Sequence, residues 1–215
     1  RLTDLLPAPP GEQERFGQPV LVCQDPDGII VELVESESAL TLIWWTTVFV
    51  PEQHALGPFH SVTLCVRPTE PTRDVLVEIV GVEQLAEESQ WVRYHFPHFP
   101  HGGFIDLWSP EKATRGAAGA GSIHHVAWRV ADDDIHAATK KAVTDRGLQV
   151  SPIIDRKYFH SIYFREPGGV LFEVATDAPG FLVDESEADL GTKLMLPEWY
   201  ESMRNEIEAQ LPALP

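Results

Sequence analysis

Basic residues are scarce in this chain: 16 Lys and Arg stand against 33 Asp and Glu, for a formal net charge of −17 over 215 residues. A surface of that sign repels phosphate backbones and anionic lipid headgroups, so nucleic acid and membrane drop out of the expected partners. Long apolar runs are missing as well; none reaches the roughly 18 residues that a membrane span needs. The amino-terminal pattern of a secretory signal is absent. There are two cysteines, Cys23 and Cys65, both inside apolar runs that read as strands. They are expected to be buried thiols in a reducing compartment, which suits a cytoplasmic protein, with a disulfide as the alternative. The first residue is Arg1, not Met, and the opening reads like the middle of a module. A piece of a longer polypeptide is therefore expected. The remaining composition, 43% hydrophobic and 23% charged, is that of a globular protein with a core large enough for one large domain or two small ones.

Along the chain, local chemistry sets an order of elements. Residues 1–18, with Pro7, Pro9, Pro10 and Gly11, read as loop. Val20 to Cys23 and Ile29 to Val34 read as two strands joined by the turn Asp25-Pro26-Asp27-Gly28, a hairpin over 18–35. The apolar segment Leu40 to Val50, with Trp44 and Trp45, is either a connecting strand or packed loop. Phe59 to Val66 reads as a strand, and Thr69 to Val80 as a helix that Thr69 caps and Gly81 stops. Strands are expected at 83–87, 91–96 and 103–108. The stretch Arg115 to Gly121 is small and featureless, a linker. The order then repeats: a strand from Ile123 to Val130, a helix opened by Asp132 and ending at Gly147, and strands at 150–154, 160–164 and 170–175. A last helix is expected from Trp199 to Leu211, with Trp199, Met203, Ile207 and Leu211 on one face.

The repeat is visible in the letters themselves. Phe59-His60-Ser61-Val62 matches Ile123-His124-His125-Val126, and Asp25-Pro26-Asp27-Gly28-Ile29-Ile30-Val31-Glu32 matches Glu166-Pro167-Gly168-Gly169-Val170-Leu171-Phe172-Glu173. This gives an α+β protein of repeated βαβββ modules with curved mixed sheets. Residues 1–50 hold the end of an incomplete module plus a connector, 51–115 and 116–185 each hold a complete module, and 186–215 form a helical tail. In the 116–185 module, a histidine at one end and Glu173 at the other are expected on neighbouring strands of one sheet. Side chains alternate faces along a strand, so His124 and His125 should point oppositely and only one of them reach a shared ion. A mid-strand carboxylate at 173 is costly to bury without a partner or a cation. The plainer readings are that Glu173 lies on the convex face and that His125 is a satisfied core histidine. His95, His98 and His101 read as a solvated loop, because Pro97 and Pro100 break their spacing and no thiol or carboxylate joins them.

The stretch from 121 to 181 resembles the last module of the vicinal-oxygen-chelate superfamily, also called glyoxalase/bleomycin-resistance/dioxygenase. The whole chain is similar to that family's hydroquinone ring-cleaving dioxygenases. The motifs that carry the resemblance are Asp155-Arg156-Lys157-Tyr158-Phe159, Ser161 to Gly169, Ala175 to Phe181, and Leu190 to Pro197. It implies a vicinal-oxygen-chelate fold lacking its N-terminal module, and a ring-cleaving, extradiol-type dioxygenase taking a small aromatic substrate and O2. It implies Fe(II) as cofactor, with Mn(II) or another divalent metal as alternatives, held by two histidines and a glutamate. Matched by motif, His125 and Glu173 fall on metal ligands, and His124, Arg156 and Tyr163 on catalytic or substrate-facing places. The family's first histidine lies on the opening strand of the missing module. The matched place in the 51–115 module is Ser61, with His60 read as structural and Glu32 as the remnant of a second site. Arg156 as a surface ion pair and Tyr163 as core packing are the readings without the family. Two other functions stay open: a glyoxalase-type metal-dependent isomerase or lyase, and a metal-free protein that sequesters an aromatic drug. The oligomeric state is not fixed by the sequence, and a homo-oligomer is one alternative.

Overall fold

The computed structural model describes residues 11–36, 55–97, 103–112, 116, 119 and 121–212. The proline-rich opening before Gly11, the Leu40–Val50 segment, most of the 115–121 linker, His98 and His101 lie outside the described residues.

Two βαβββ units follow one another with the same wiring. The first runs β4 (Ser61–Cys65), α1 (Glu70–Val75), β5 (Glu83–Glu88), β6 (Trp91–His95) and β7 (Phe104–Trp108). The second runs β8 (Val126–Val130), α2 (Asp133–Asp145), β9 (Ile154–Asp155), β10 (Phe159–Arg165) and β11 (Leu171–Pro179). Their sheets have matching strand orders, β4-β7-β6-β5 and β8-β11-β10-β9. In each, the opening and closing strands pair in parallel and the other pairs are antiparallel, so both sheets are mixed. Ahead of them, β1 (Gly11–Arg15), β2 (Gln18–Gln24) and β3 (Ile30–Val34) form a third, antiparallel sheet.

Period-two patterning explains how the sheets share one core. Ile105 and Leu107 on β7, Ile162 and Phe164 on β10, and Phe172 and Val174 on β11 all enter a single apolar cluster with Leu64, Val75, Leu76, Trp128 and Val143. The residue between each pair, Asp106, Tyr163 and Glu173, therefore belongs to the opposite face. Helix α2 starts where the Asp132 side chain accepts from the Ile135 N–H. It is fixed to β11 by His136, which is fully buried and donates through Nε2 to the Val174 carbonyl, 3.0 Å away. The turn between β10 and β11 locks the two modules together. Buried Glu166 accepts from the Thr72 hydroxyl at 2.6 Å and from the Gly168 and Val170 N–H groups at 2.7 Å. Gly168 is required there, since a Cβ would lie 2.6 Å from Thr72 Oγ1 and 2.7 Å from a Val66 methyl.

Several expectations need correction. Residues 11–15 are a strand, not loop: Gly11, Glu12, Gln13 and Glu14 show no apolar alternation, and β1 exists because β2 pairs with it. The helix beginning after Thr69 makes no side-chain cap bond and widens into a π-helical turn over Leu76–Val80. The 150–154 strand shrinks to a bridge at Val150 and the two-residue β9, with Pro152, which has no N–H to donate, between them. The terminal helix is divided. Glu198–Met203 is 3-10 and Arg204–Gln210, α3, is α-helical. A change from three to 3.6 residues per turn breaks the expected apolar stripe, and Trp199, Met203 and Leu211 are exposed. Cys23 is buried as expected, whereas Cys65 is exposed on β4; both thiols are free. Among the described residues no helix is long and apolar enough to cross a membrane.

Candidate functional site

Strand β8 begins at Val126, so His124 and His125 precede the pleat and alternation does not govern them. The expectation that they point to opposite faces is corrected: their Nδ1 atoms lie 2.8 Å apart and the rings meet edge to face. One Nδ1 donates to the other. That leaves His125 Nε2 free to face Glu173, and it lies 2.8 Å from Oε2. Parallel pairing of β8 with β11 sets up this meeting, because Ala127 is in register with Glu173 and His125 stands two residues earlier.

Glu173 is not on an exposed convex face. It is 5% exposed, with both oxygens engaged. Tyr163, its cross-strand partner on β10, donates its hydroxyl to Oε1 at 2.5 Å. Arg156, in the turn before β10, donates through Nη2 to the Tyr163 oxygen at 3.2 Å and lies over the Tyr163 ring, 5.4 Å from its centroid. The five residues singled out from the sequence, His124, His125, Arg156, Tyr163 and Glu173, thus form one connected chain of polar contacts. His95, expected in a solvated loop, instead ends β6 in the other mixed sheet.

The same register recurs in the other two sheets with a different outcome. Glu32, Asp106 and Glu173 each occupy the third position of a closing strand, in β3, β7 and β11. Asp106 is fully buried and gripped by Arg93, with Nε and Nη2 each 2.8 Å from a carboxylate oxygen. Arg93 sits on β6 at the cross-strand place that Tyr163 has on β10. Glu32 is gripped by Arg15 at 2.6 and 2.8 Å. These two acids carry guanidinium partners, and Arg93 also donates to Gln18 Oε1 of β2 at 2.6 Å, tying the three-stranded sheet to the first module. His60 lies in the same polar cluster; burial and the Arg93 charge hold its imidazole below the usual histidine range. Glu32, expected to be the remnant of a second site, is an ion-pair partner of Arg15 here, and the sequence reading gave no place to Asp106 and its arginine. The available signal was position: a third acid at the third residue of a closing strand.

Among the described residues Glu173 has no guanidinium in contact. A buried carboxylate facing only a tyrosine and a histidine lacks a full countercharge. Two ligand atoms bonded at 2.0–2.2 Å and at right angles around one ion stand about 3 Å apart, close to the 2.8 Å between His125 Nε2 and Glu173 Oε2. The pair fits two places of a divalent ion's coordination sphere, with Tyr163 and His124 fixing the orientation of its members from behind. Among the described residues no group of three or more His, Cys, Asp or Glu side chains converges.

Comparison with known proteins gives the same direction. A family model described as the Glyoxalase/Bleomycin resistance protein/Dioxygenase superfamily matches residues 58–174. The chain is 40% identical over 201 residues to a Bacillus subtilis (strain 168) protein named "Putative ring-cleaving dioxygenase MhqO", covering 92% of this chain and 62% of that protein. It is 34% identical over 201 residues to a chlorohydroquinone/hydroquinone 1,2-dioxygenase of Sphingobium indicum, covering 91% of this chain and 62% of that protein. The crystal structure of a "putative dioxygenase from Bacillus subtilis subsp. subtilis str. 168" superposes with a TM-score of 0.85 at 40% identity, covering 96% of this chain and 66% of that one. The chain therefore spans about 62% of the length of these two curated relatives. With a family model covering more than half its residues and two mixed βαβββ sheets of matching order, the chain belongs to the glyoxalase/bleomycin resistance protein/dioxygenase superfamily.

Proposed function

We propose that the protein carrying this chain is an Fe(II)-dependent, extradiol-type dioxygenase that opens the ring of small hydroquinone-like phenols with O2. The observation that carries the proposal is the contrast among the three closing-strand acids. Glu32 and Asp106 have arginines, whereas Glu173 has His125 and Tyr163 and so keeps a place for a cation. His125 and Glu173 supply two ligands; the third comes from beyond the described residues. When bound, the metal supplies a Lewis-acidic, redox-active centre with open positions for a phenolate and dioxygen.

The chain's own side chains have separable tasks. Tyr163, donating to Glu173, holds the carboxylate in one rotamer, and its oxygen in turn accepts from Arg156. Arg156, exposed at the rim, has further N–H groups with which to grip an anionic ring oxygen. His124 is half a step out, bonded to the far nitrogen of His125, where it fixes that ring and can exchange a proton with the substrate hydroxyl. The reaction balances without an outside reductant: one ring C–C bond and the O–O bond break, and both oxygen atoms end in the opened product. The named relatives support this substrate class, and the dense −17 charge fits a small-molecule substrate better than a polyanion.

The test is oxygen uptake by the full-length protein, loaded with Fe(II) without air, across a panel of hydroquinones and catechols. Consumption matched to substrate supports the proposal. Turnover of methylglyoxal with glutathione and none with any phenol would move the assignment to a glyoxalase-type isomerase.

A further inference from the structure

Arg156 has a weak footing in its own sheet. It follows β9, which makes two residue pairs with β10, and it lies at the start of a tight turn closed by its N–H to the Phe159 carbonyl at 2.9 Å. The next residue, Lys157, has φ of 70°, a left-handed conformation that side chains with a Cβ avoid at a cost of about 1 kcal/mol or more. Within the turn the Lys157 N–H donates to Asp155 Oδ1 at 2.7 Å, and a second restraint reaches it from outside.

That restraint comes from the C-terminal segment. The Lys157 ammonium donates to the Asp184 carboxylate and, at 3.0 Å, to the Leu196 carbonyl. Lysine and aspartate side chains are each 19% exposed, and the bond to Asp184 holds the ammonium above the usual lysine range. Tyr158, one residue on, donates its hydroxyl to Asp184 at 3.2 Å and packs on Phe181, with ring centroids 5.0 Å apart. The Gly180 N–H donates to the Tyr158 carbonyl at 2.8 Å. Residues 180–196 thus grip the two residues that follow Arg156, while Arg156 itself bonds to Tyr163.

We propose that Lys157 and Asp184 are positioning residues: their ion pair, closed by the Leu196 carbonyl, clamps the β9–β10 turn so that Arg156 stays over Tyr163 and the site's grip on an anionic ring oxygen depends on the C-terminal segment. This rests on the dioxygenase reading for its substrate but not for its mechanics. Breaking the clamp frees the turn to leave its left-handed conformation, and Arg156 is then ordered only when substrate binds, so affinity falls while the chemistry at saturation is retained.

The experiment uses the full-length protein with Lys157→Ala, Asp184→Asn, Lys157→Arg, Arg156→Ala and the Arg156→Ala/Lys157→Ala pair. The first readout needs no turnover: relaxation of the Arg156 Nε–H signal in metal-free protein labelled with nitrogen isotope in arginine. Lys157→Ala and Asp184→Asn should mobilise that one signal and leave the Arg93 signal rigid. The second is the KM against kcat split with hydroquinone. Lys157→Ala should raise KM about tenfold, equal to about 1.4 kcal/mol, with kcat and bound metal close to wild type. Lys157→Arg should restore most of it, and in an Arg156→Ala background Lys157→Ala should add almost nothing. An ordered Arg156 in both clamp variants, or losses that multiply in the double variant, would overturn the proposal. Should wild type consume no phenol at all, the function proposed above falls, and the Arg156 signal alone decides the clamp.

Discussion

Replacing Glu166 with Gln is the sharpest test of how the two modules are held in register. The side chain is 2% exposed and makes three bonds, with Oε2 taking the Thr72 hydroxyl and the Gly168 N–H and Oε1 taking the Val170 N–H. Glutamine has the same shape, so no cavity confuses the reading. Its amide oxygen serves best at the two-donor position, which turns the NH2 group toward the Val170 N–H. One buried donor is then orphaned, at about 1–3 kcal/mol, and the two remaining bonds lose their charge assistance, at about 1 kcal/mol more. We expect a loss of about 3 kcal/mol, a sizeable share of the stability of an ordinary domain. Urea denaturation followed by tryptophan fluorescence, with Trp128 packed on Phe172 in the shared core, is the assay. Thr72→Val should cost about 1.5–3 kcal/mol in the wild-type background and about 1 kcal/mol less in Glu166→Gln, because a charged acceptor has become neutral. A change below about 0.5 kcal/mol, the range of unremarkable surface substitutions, would refute the idea that Glu166 is a buried three-donor acceptor joining α1 to the β10–β11 turn.

Arg93→Ala should leave Asp106 buried and unpaired and cost about 3–5 kcal/mol by the same denaturation assay; a loss under about 1 kcal/mol would show that Asp106 finds another partner. His60, whose folded value lies below its unfolded 6.5, binds a proton more readily once unfolded. Its contribution is complete above 6.5 and is lost as pH falls from there toward the folded value. The stability difference between wild type and His60→Asn should therefore shrink between neutral pH and pH about 5, and a constant difference would contradict the assignment. Glu173→Ala in the full-length protein should abolish tight metal uptake, measured by elemental analysis after anaerobic loading and desalting, without lowering the urea midpoint of the metal-free protein. Metal retained in that variant would remove Glu173 from the ligand set.

Much of this molecule was readable from its residues because two kinds of signal coincided. The helix at Asp133–Asp145 has an Asp132 cap and a Gly147 stop, and Ile162 and Phe164 on β10 and Phe172 and Val174 on β11 alternate with Tyr163 and Glu173, so local chemistry and tertiary packing agree. Tyr163 and Glu173 meet through that alternation and the antiparallel register, and His125 joins them through the parallel pairing of β8 with β11. What was hidden depended on partners. Strand β1 has no pattern of its own and is defined by β2. The contact of His124 with His125 depends on where β8 begins, a boundary that a run of β-prone letters does not mark. The Arg93–Asp106 pair joins residues on different strands, and neither side chain alone announces the pairing. The clamp at Lys157 draws on Asp184 and Leu196, 27 and 39 positions away in sequence, across a segment with no repeating pattern.

The claim that matters most is that the His125–Glu173 centre inserts both atoms of dioxygen into an opened ring. Full-length protein loaded with Fe(II) should be given hydroquinone under isotopically labelled dioxygen, and the product trapped at once by borohydride reduction so that its aldehyde oxygen does not exchange with water. The account predicts a ring-opened product carrying two labelled oxygen atoms, formed by wild type and not by Glu173→Ala. Label in one position only, an unopened quinone, or equal yield from Glu173→Ala would contradict it.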